Sequence, residues 1–190
     1  MVRRSAPTGR GRTDVSDTID LAKRIGALEA RLADAEAYRA ITNLKSRYGA
    51  LADSRYTRDG LRSSAELSRI ADEVAALFTE DGVWDGGSGL GRCEGREAIR
   101  ERFLVPTLRF SWHFFVKPDL EISGGTARGT WDVLALMTTK EGRAMWMVGV
   151  EHDEYTRVDG TWLHSRMELD AVLVAPHDRG WAPRPEPSDV

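Results

Sequence analysis

Residues 126–174 read TARGTWDVLALMTTKEGRAMWMVGVEHDEYTRVDGTWLHSRMELDAVLV. Three long runs, 126–138, 143–156 and 161–174, shift toward a period of two and are separated only by Lys140-Glu141-Gly142 and Asp159-Gly160. An Asp-Gly pair between apolar runs is a strong hairpin signal, because a tight two-residue turn needs backbone with φ > 0. The three runs are therefore predicted as neighbouring antiparallel strands. Two shorter strands, 110–115 and 119–123, precede them and lead in through Gly124-Gly125.

Upstream the period becomes helical. Ile25, Leu28, Leu32 and Ala35 are spaced 3, 4 and 3 with charged residues between them, an amphipathic helix with a short coiled-coil-like seam and N-cap chemistry at Asp17-Thr18. The seam is too short to hold a coiled coil alone, so it is expected to pack on its own domain or on a sister subunit. Ile41, Leu44, Tyr48 and Leu51 continue the pattern to about Ser54. A further helix carries Leu67, Ile70, Ala71, Val74 and Leu77 to Phe78, and another spans Glu94 to Phe103. A short strand at Val83–Asp85 fits between the breakers Gly82 and Gly86-Gly87. Helices first and strands afterwards is the α+β order. The expected architecture is N-terminal helices packed on a strongly curved antiparallel sheet, a cone whose apolar mouth suits a small ligand. The domain is expected at 17–175, between a basic tail at 1–16 and a Pro-rich tail at 176–190.

Composition narrows the function classes. The chain has 190 residues, 27 Lys+Arg against 30 Asp+Glu and a net charge of −3, with no basic stripe on a segment that reads as folded, which argues against nucleic-acid binding. No stretch approaches the roughly 20 apolar residues of a membrane span, and the N-terminus lacks a secretory apolar core, so a cytoplasmic protein without membrane attachment is expected. Cys93 is the only cysteine, which removes disulfide frameworks and cysteine zinc clusters. In Glu151-His152-Asp153-Glu154 adjacent residues alternate between faces, so the run does not converge on a metal. GGSGLG and GRGR lack the strand-to-helix context of a dinucleotide loop. Neither metal nor cofactor is expected.

The candidate polar groups are Tyr48, Asp53 and His113. Tyr48 and Asp53 are five positions apart, roughly 140° round an ideal helix, and approach one cavity mouth only if the helix ends near Asp53. His113, in SWHFFVKPDLEI, brings an imidazole suited to proton transfer near neutral pH. Each also has a bland reading, as a satisfied core aromatic, a turn carboxylate or a core histidine. Trp84, Trp131 and Trp146 are candidates for lining an apolar pocket.

The segments RLADAEAYRAITNLKSRYGALAD, LFTEDGVWD, CEGREAIRERF, WHFFVKPDLEISGGTARGTW and YTRVDGTWLHSR resemble the SnoaL-like branch of the nuclear transport factor 2-like superfamily over about residues 25–182. Within it the pattern is most similar to bile-acid 7α-dehydratases, with scytalone dehydratase further off. The resemblance implies catalytic roles for Tyr48, Asp53 and His113, His113 standing five residues before Pro118. Two polar positions of that pattern depart: the acid four residues after a sheet Trp falls on Ala135, and the Arg nine residues after the last hairpin's Trp falls on Ala171. Without a bulge, Trp131, Val133 and Ala135 share one face, which makes an apolar wall; Asp132 and Arg166 differ in parity and aim away.

The resemblance implies a cofactor-independent lyase of dehydratase type, or an isomerase, acting on a hydrophobic ring-containing molecule such as a steroid, terpenoid or aromatic polyketide. It also implies a homo-oligomer, dimer or trimer. The alternatives are a non-catalytic binding or assembly module of the same fold, and a subunit resembling the small chain of ring-hydroxylating dioxygenases.

Overall fold

The structure, a computed structural model, describes residues 15–180. Residues 1–14 and 181–190, which hold most of both expected tails, lie outside the described residues. The chain divides into two compact units, Met1–Glu36 and Ala37–Val190. One helix, α1 (Val15–Ser54), carries both upstream apolar patterns. In the first unit the expected seam is present and solvated: Ile25, Leu28, Leu32 and Ala35 are all exposed.

In the second unit α1 turns Ile41, Leu44, Tyr48 and Ala52 inward at helical spacing. Its last carbonyls are satisfied by side chains. Ser54 Oγ donates to Leu51 O (2.8 Å), Arg55 Nε to Ala52 O (2.9 Å) and Arg62 Nε to Ser54 O (2.5 Å), which stops the helix just past Asp53. A small ribbon, β1 (Tyr56–Thr57) and β2 (Gly60–Leu61), leads to α2 (Ser64–Ala75), which opens on a Ser63/Glu66 capping box. Next come β3 (Phe78–Asp85), the single turn α3 (Gly87–Leu90), β4 (Arg92–Glu94) and α4 (Arg96–Leu104). The long strands β5 (Phe110–Ser123), β6 (Thr126–Thr138), β7 (Ala144–Val158) and β8 (Thr161–Pro176) complete an α+β fold.

Among the described residues the main sheet has the order β4-β3-β8-β7-β6-β5. It is mixed, which corrects the antiparallel expectation: β3 runs parallel to β8, and the other neighbours pair antiparallel. β3 also starts at Phe78 rather than Val83, because Leu77 and Phe78 continue the helical spacing and periodicity alone does not mark the switch. β5 is continuous through a register shift between Val116 and Asp119, where Lys117 has φ 51°. Pro118, which has no N–H to give, is tolerated on this edge strand. Asp159 (φ 48°) and Gly160 (φ 83°) form the two-residue turn that the Asp-Gly pair predicts.

β6 and β7 pair without a shift from Thr126 to Thr138, so Trp131, Val133 and Ala135 do share the inward face. β8 gains an extra residue at Ser165 and at Val172. The inward rows of the sheet close against Ile41, Ile70, Val74, Ile99 and Phe103. Among the described residues, no helix is long and apolar enough to cross a membrane.

Candidate active site

The termination of α1 places Asp53 in its last turn, facing β5. There Asp53 Oδ2 accepts the backbone N–H of His113 (3.0 Å), and Oδ1 lies 2.6 Å from His113 Nδ1. A buried carboxylate is an acceptor, so Nδ1 carries the proton of this bond, and in the neutral ring Nε2 has the lone pair. The imidazole stacks on Phe115, centroids 5.8 Å apart and planes 1° from parallel, which fixes its tilt. The result is an imidazole-bearing residue held at two points by one carboxylate.

Tyr48, one and a half turns earlier, is buried and accepts the indole N–H of Trp84 (2.9 Å). That bond occupies an oxygen lone pair and leaves the phenol O–H to donate; among the described residues nothing accepts it. Burial raises the Tyr48 pKa far above the ordinary phenol value, with Glu151 acting in the same direction, so Tyr48 stays a neutral donor. Tyr48, Trp84 and His113 line one inner cavity of about 60 Å³, with Arg55, Ser111 and Glu151 also in its wall. A wider apolar groove of about 390 Å³ shares Leu90, Leu108, Met137, Met147 and Leu169 with it and extends past Ala171 to Val174. The site is a small chamber with a few polar groups set in a mostly apolar wall, opening onto an apolar trough.

Behind the chamber lies a cluster that spacing did not flag. Lys45 is fully buried; its ammonium donates to Glu151 and, at 2.7 Å, to Asp153 Oδ2. Burial works against the Lys45 charge, but the two carboxylates outweigh it and raise its pKa above the usual lysine value. Tyr155 donates to Asp153 (2.7 Å) and accepts the Trp131 indole N–H (2.9 Å). Glu151, Asp153 and Tyr155 all point inward with Met147, as the period-two argument requires. That parity is the signal that could have marked Glu151 and Asp153. Lys45, between Leu44 and Ser46, carries no such mark.

His164 is packed against Tyr155 (centroids 4.9 Å) and Phe78 (5.1 Å), and neither ring nitrogen has a hydrogen-bond partner. Burial holds its pKa down to about 3 against an ordinary 6.5, so the folded chain keeps it neutral. The unfolded chain binds this proton first. The stability from a neutral His164 is therefore complete above about pH 6.5 and is lost as pH falls toward about 3. By about pH 5 the loss is on the order of 2 kcal/mol. Urea unfolding of the wild type and His164→Gln at the two pH values checks this: the variant should lose correspondingly less on acidification, and equal losses would refute the assignment.

The sequence candidates separate into groups. Tyr48 and His113 line the chamber, Asp53 stands outside its lining and holds His113, and Trp84 lines the chamber while orienting Tyr48. Ala135 is fully buried beside His113, its partner across β5 and β6, and packs with Val133 and Met147. Trp131 sits in the core, bonded to Tyr155, and is not among the residues lining the chamber. Trp146 lies on another part of the surface, stacked on His177. Ala171 lines the groove. Asp132 engages Lys117 and Arg166 engages Glu168 (Nε to Oε2, 3.1 Å), so neither supplies a polar group to the chamber. Among the described residues, no three His, Cys, Asp or Glu side chains gather as a metal site.

Helices on a curved mixed sheet make this an α+β fold of the nuclear transport factor 2-like kind. The chain belongs to the SnoaL-like domain family, whose model matches residues 68–168. No curated protein sequence matches it. Among solved structures it is similar to a type 2 hexachlorocyclohexane dehydrochlorinase, LinA, with 23% identity and a TM-score of 0.65 over 83% of this chain and 99% of that one. Another LinA structure shares 25% identity at a TM-score of 0.63, covering 82% and 99%. A scytalone dehydratase-like protein from Novosphingobium aromaticivorans shares 22% at 0.61, covering 79% and 97%.

Proposed function

We propose that this chain is a cofactor-independent lyase of dehydratase type, or an isomerase, acting on a hydrophobic ring-containing small molecule such as a steroid, terpenoid or aromatic polyketide. The observation that carries the reading is the 2.6 Å contact between His113 Nδ1 and Asp53 beside a buried, donor-ready Tyr48. In this mechanism His113 Nε2 takes a proton from a ring carbon next to a carbonyl. The C–H electron pair moves toward the carbonyl, and Tyr48 donates to the oxygen as charge develops there. Asp53 stabilises the imidazolium. For elimination, the C–O bond β to that carbonyl breaks and the hydroxide takes the proton back from His113, leaving as water. For isomerisation the proton returns to another carbon. Similar structures bear the names of enzymes that remove HCl or water, which suits the elimination branch.

The test is proton abstraction itself. Keto and hydroxylated ring compounds incubated with the protein in D2O should gain deuterium at the carbon next to the carbonyl, or lose water, and His113→Ala should abolish this. The binding-module alternative draws support from Ala135, a methyl where the dehydratase pattern places an acid. A wild type that binds such compounds without exchange or turnover would establish it.

The homo-oligomer belongs to the same proposal. On the outer face of the sheet Trp112, Phe114 and Val116 are 46–47% exposed, and cross-strand pairing sets Trp112 beside Leu136 and Phe114 beside Leu134, itself beside Val148. A contiguous apolar face of this kind marks a protein contact. Sedimentation should find a dimer or trimer, and Trp112→Glu combined with Phe114→Glu should leave a folded monomer. A variant that keeps the wild-type mass would move the contact elsewhere.

A further inference from the structure

Arg55 follows the end of α1 and is buried, with 8% of its surface exposed. Its Nε donates to Ala52 O (2.9 Å), and its guanidinium lies over Phe103 (4.6 Å) and Tyr56 (5.2 Å). Among the described residues no carboxylate lies within ion-pair distance and no acceptor meets its Nη groups. A helix cap explains one of its five N–H donors and leaves the rest. The carboxylates near the chamber are already engaged: Asp53 by His113, Glu151 by Lys45, and Asp85 by the Gly87 N–H (2.9 Å) and Arg92 (3.6 Å). A second guanidinium, Arg102, stands over Trp84 (5.2 Å) in the same wall and adds positive charge.

Ser111 is a separate observation on the same wall. It lies two residues before His113 on β5, is 1% exposed, and its hydroxyl has no hydrogen-bond partner. A buried cation without a counter-ion and a buried hydroxyl without a partner are both costly, and one anionic oxygen group relieves both. Volume sets which part of a ligand goes there. About 60 Å³ is well short of the roughly 150 Å³ that admits benzene, so the chamber takes polar substituents and the ring edge that bears them, while the ring body lies in the adjoining groove of about 390 Å³.

We propose that the substrate is an amphiphilic acid: a carboxylate enters the chamber and is held by Arg55 and Ser111, with Arg102 adding to the field, while the apolar ring body rests on Met137, Met147 and Leu169. The inference rests on the acid/base reading of the same site and adds the substrate's charge. Arg55 and Ser111 are binding residues in it and take no part in proton transfer.

Naphthoate and its neutral amide are the probes, with affinities measured by calorimetry near neutral pH. Naphthoate should bind the wild type at least about tenfold more tightly than the amide. The preference should shrink as salt rises from about 0.05 to about 0.5 M. It should disappear in Arg55→Met and fall about threefold or more in Ser111→Ala. Equal affinities in the wild type, or no binding of either probe, overturns the proposal whether or not Arg55→Met folds; so does a preference that survives in folded Arg55→Met. Asp53→Asn separates this idea from the catalytic one, because it should keep the naphthoate preference while losing turnover. A wild type with the preference and no deuterium exchange keeps the carboxylate anchor and removes the acid/base reading.

Discussion

Asp53→Asn is expected to lower turnover by about 10²- to 10⁴-fold while leaving the fold in place. The substitution keeps volume, and the amide oxygen can still accept the His113 backbone N–H that Asp53 Oδ2 accepts at 3.0 Å. The other arm of the side chain becomes an NH2 donor facing Nδ1. The imidazole then protonates on Nε2, the nitrogen that is the base in the proposed mechanism, and the negative charge that would stabilise an imidazolium there is gone. The loss should therefore appear in turnover, with little change in the urea midpoint. Asp53→Ala removes both contacts and should also destabilise. If Asp53→Asn turns substrate over at the wild-type rate, the carboxylate merely ties the helix end to β5.

The largest effect on stability is expected from Lys45→Met. It keeps most of the side chain's bulk and removes the charge between Glu151 and Asp153, which leaves two desolvated carboxylates facing each other. Breaking a buried pair from one side typically costs about 3–5 kcal/mol. That is a large share of the roughly 5–15 kcal/mol that holds a domain together. Urea denaturation measures it directly, and adding Glu151→Gln and Asp153→Asn to Lys45→Met should recover much of the loss. The exposed Arg69–Glu73 pair on α2 is a useful contrast, since an i,i+4 surface bridge contributes only about 0.3–0.5 kcal/mol. A Lys45→Met variant within about 1 kcal/mol of the wild type would mean that water reaches the cluster.

Local signals carried the strands and turns. Alternation and Asp159-Gly160 mark the β7–β8 hairpin because its pairing is short-range, and its two positive φ angles suit those residues. The parallel pairing of β3 with β8 joins segments some eighty residues apart and leaves no periodic trace. Bulges behave likewise: the extra residues at Ser165 and Val172 change which side chains of β8 face inward, and no local composition announces them. Asp53 and His113 could be paired only through resemblance, since helix geometry set Asp53 about 140° from Tyr48. The structure accommodates this because Tyr48 faces the chamber wall and Asp53 reaches sideways to β5. Lys45 and Arg55 stayed hidden because a lone cation in a helical pattern reads as solvated surface; burial after folding is what gives each its meaning.

The double hold on His113 has a consequence for how this protein can be re-tasked. One carboxylate fixes both a strand's backbone and the ring it carries, so a substitution at position 53 is felt in architecture and chemistry at once. The trough is the opposite case. Met137, Met145 and Met147 line it with unbranched thioethers that repack around a changed shape. Variation that alters substrate range should therefore accumulate along the methionine wall while the helix end stays unchanged, and a library built for new substrates belongs at Met137, Met147, Leu169 and Val174.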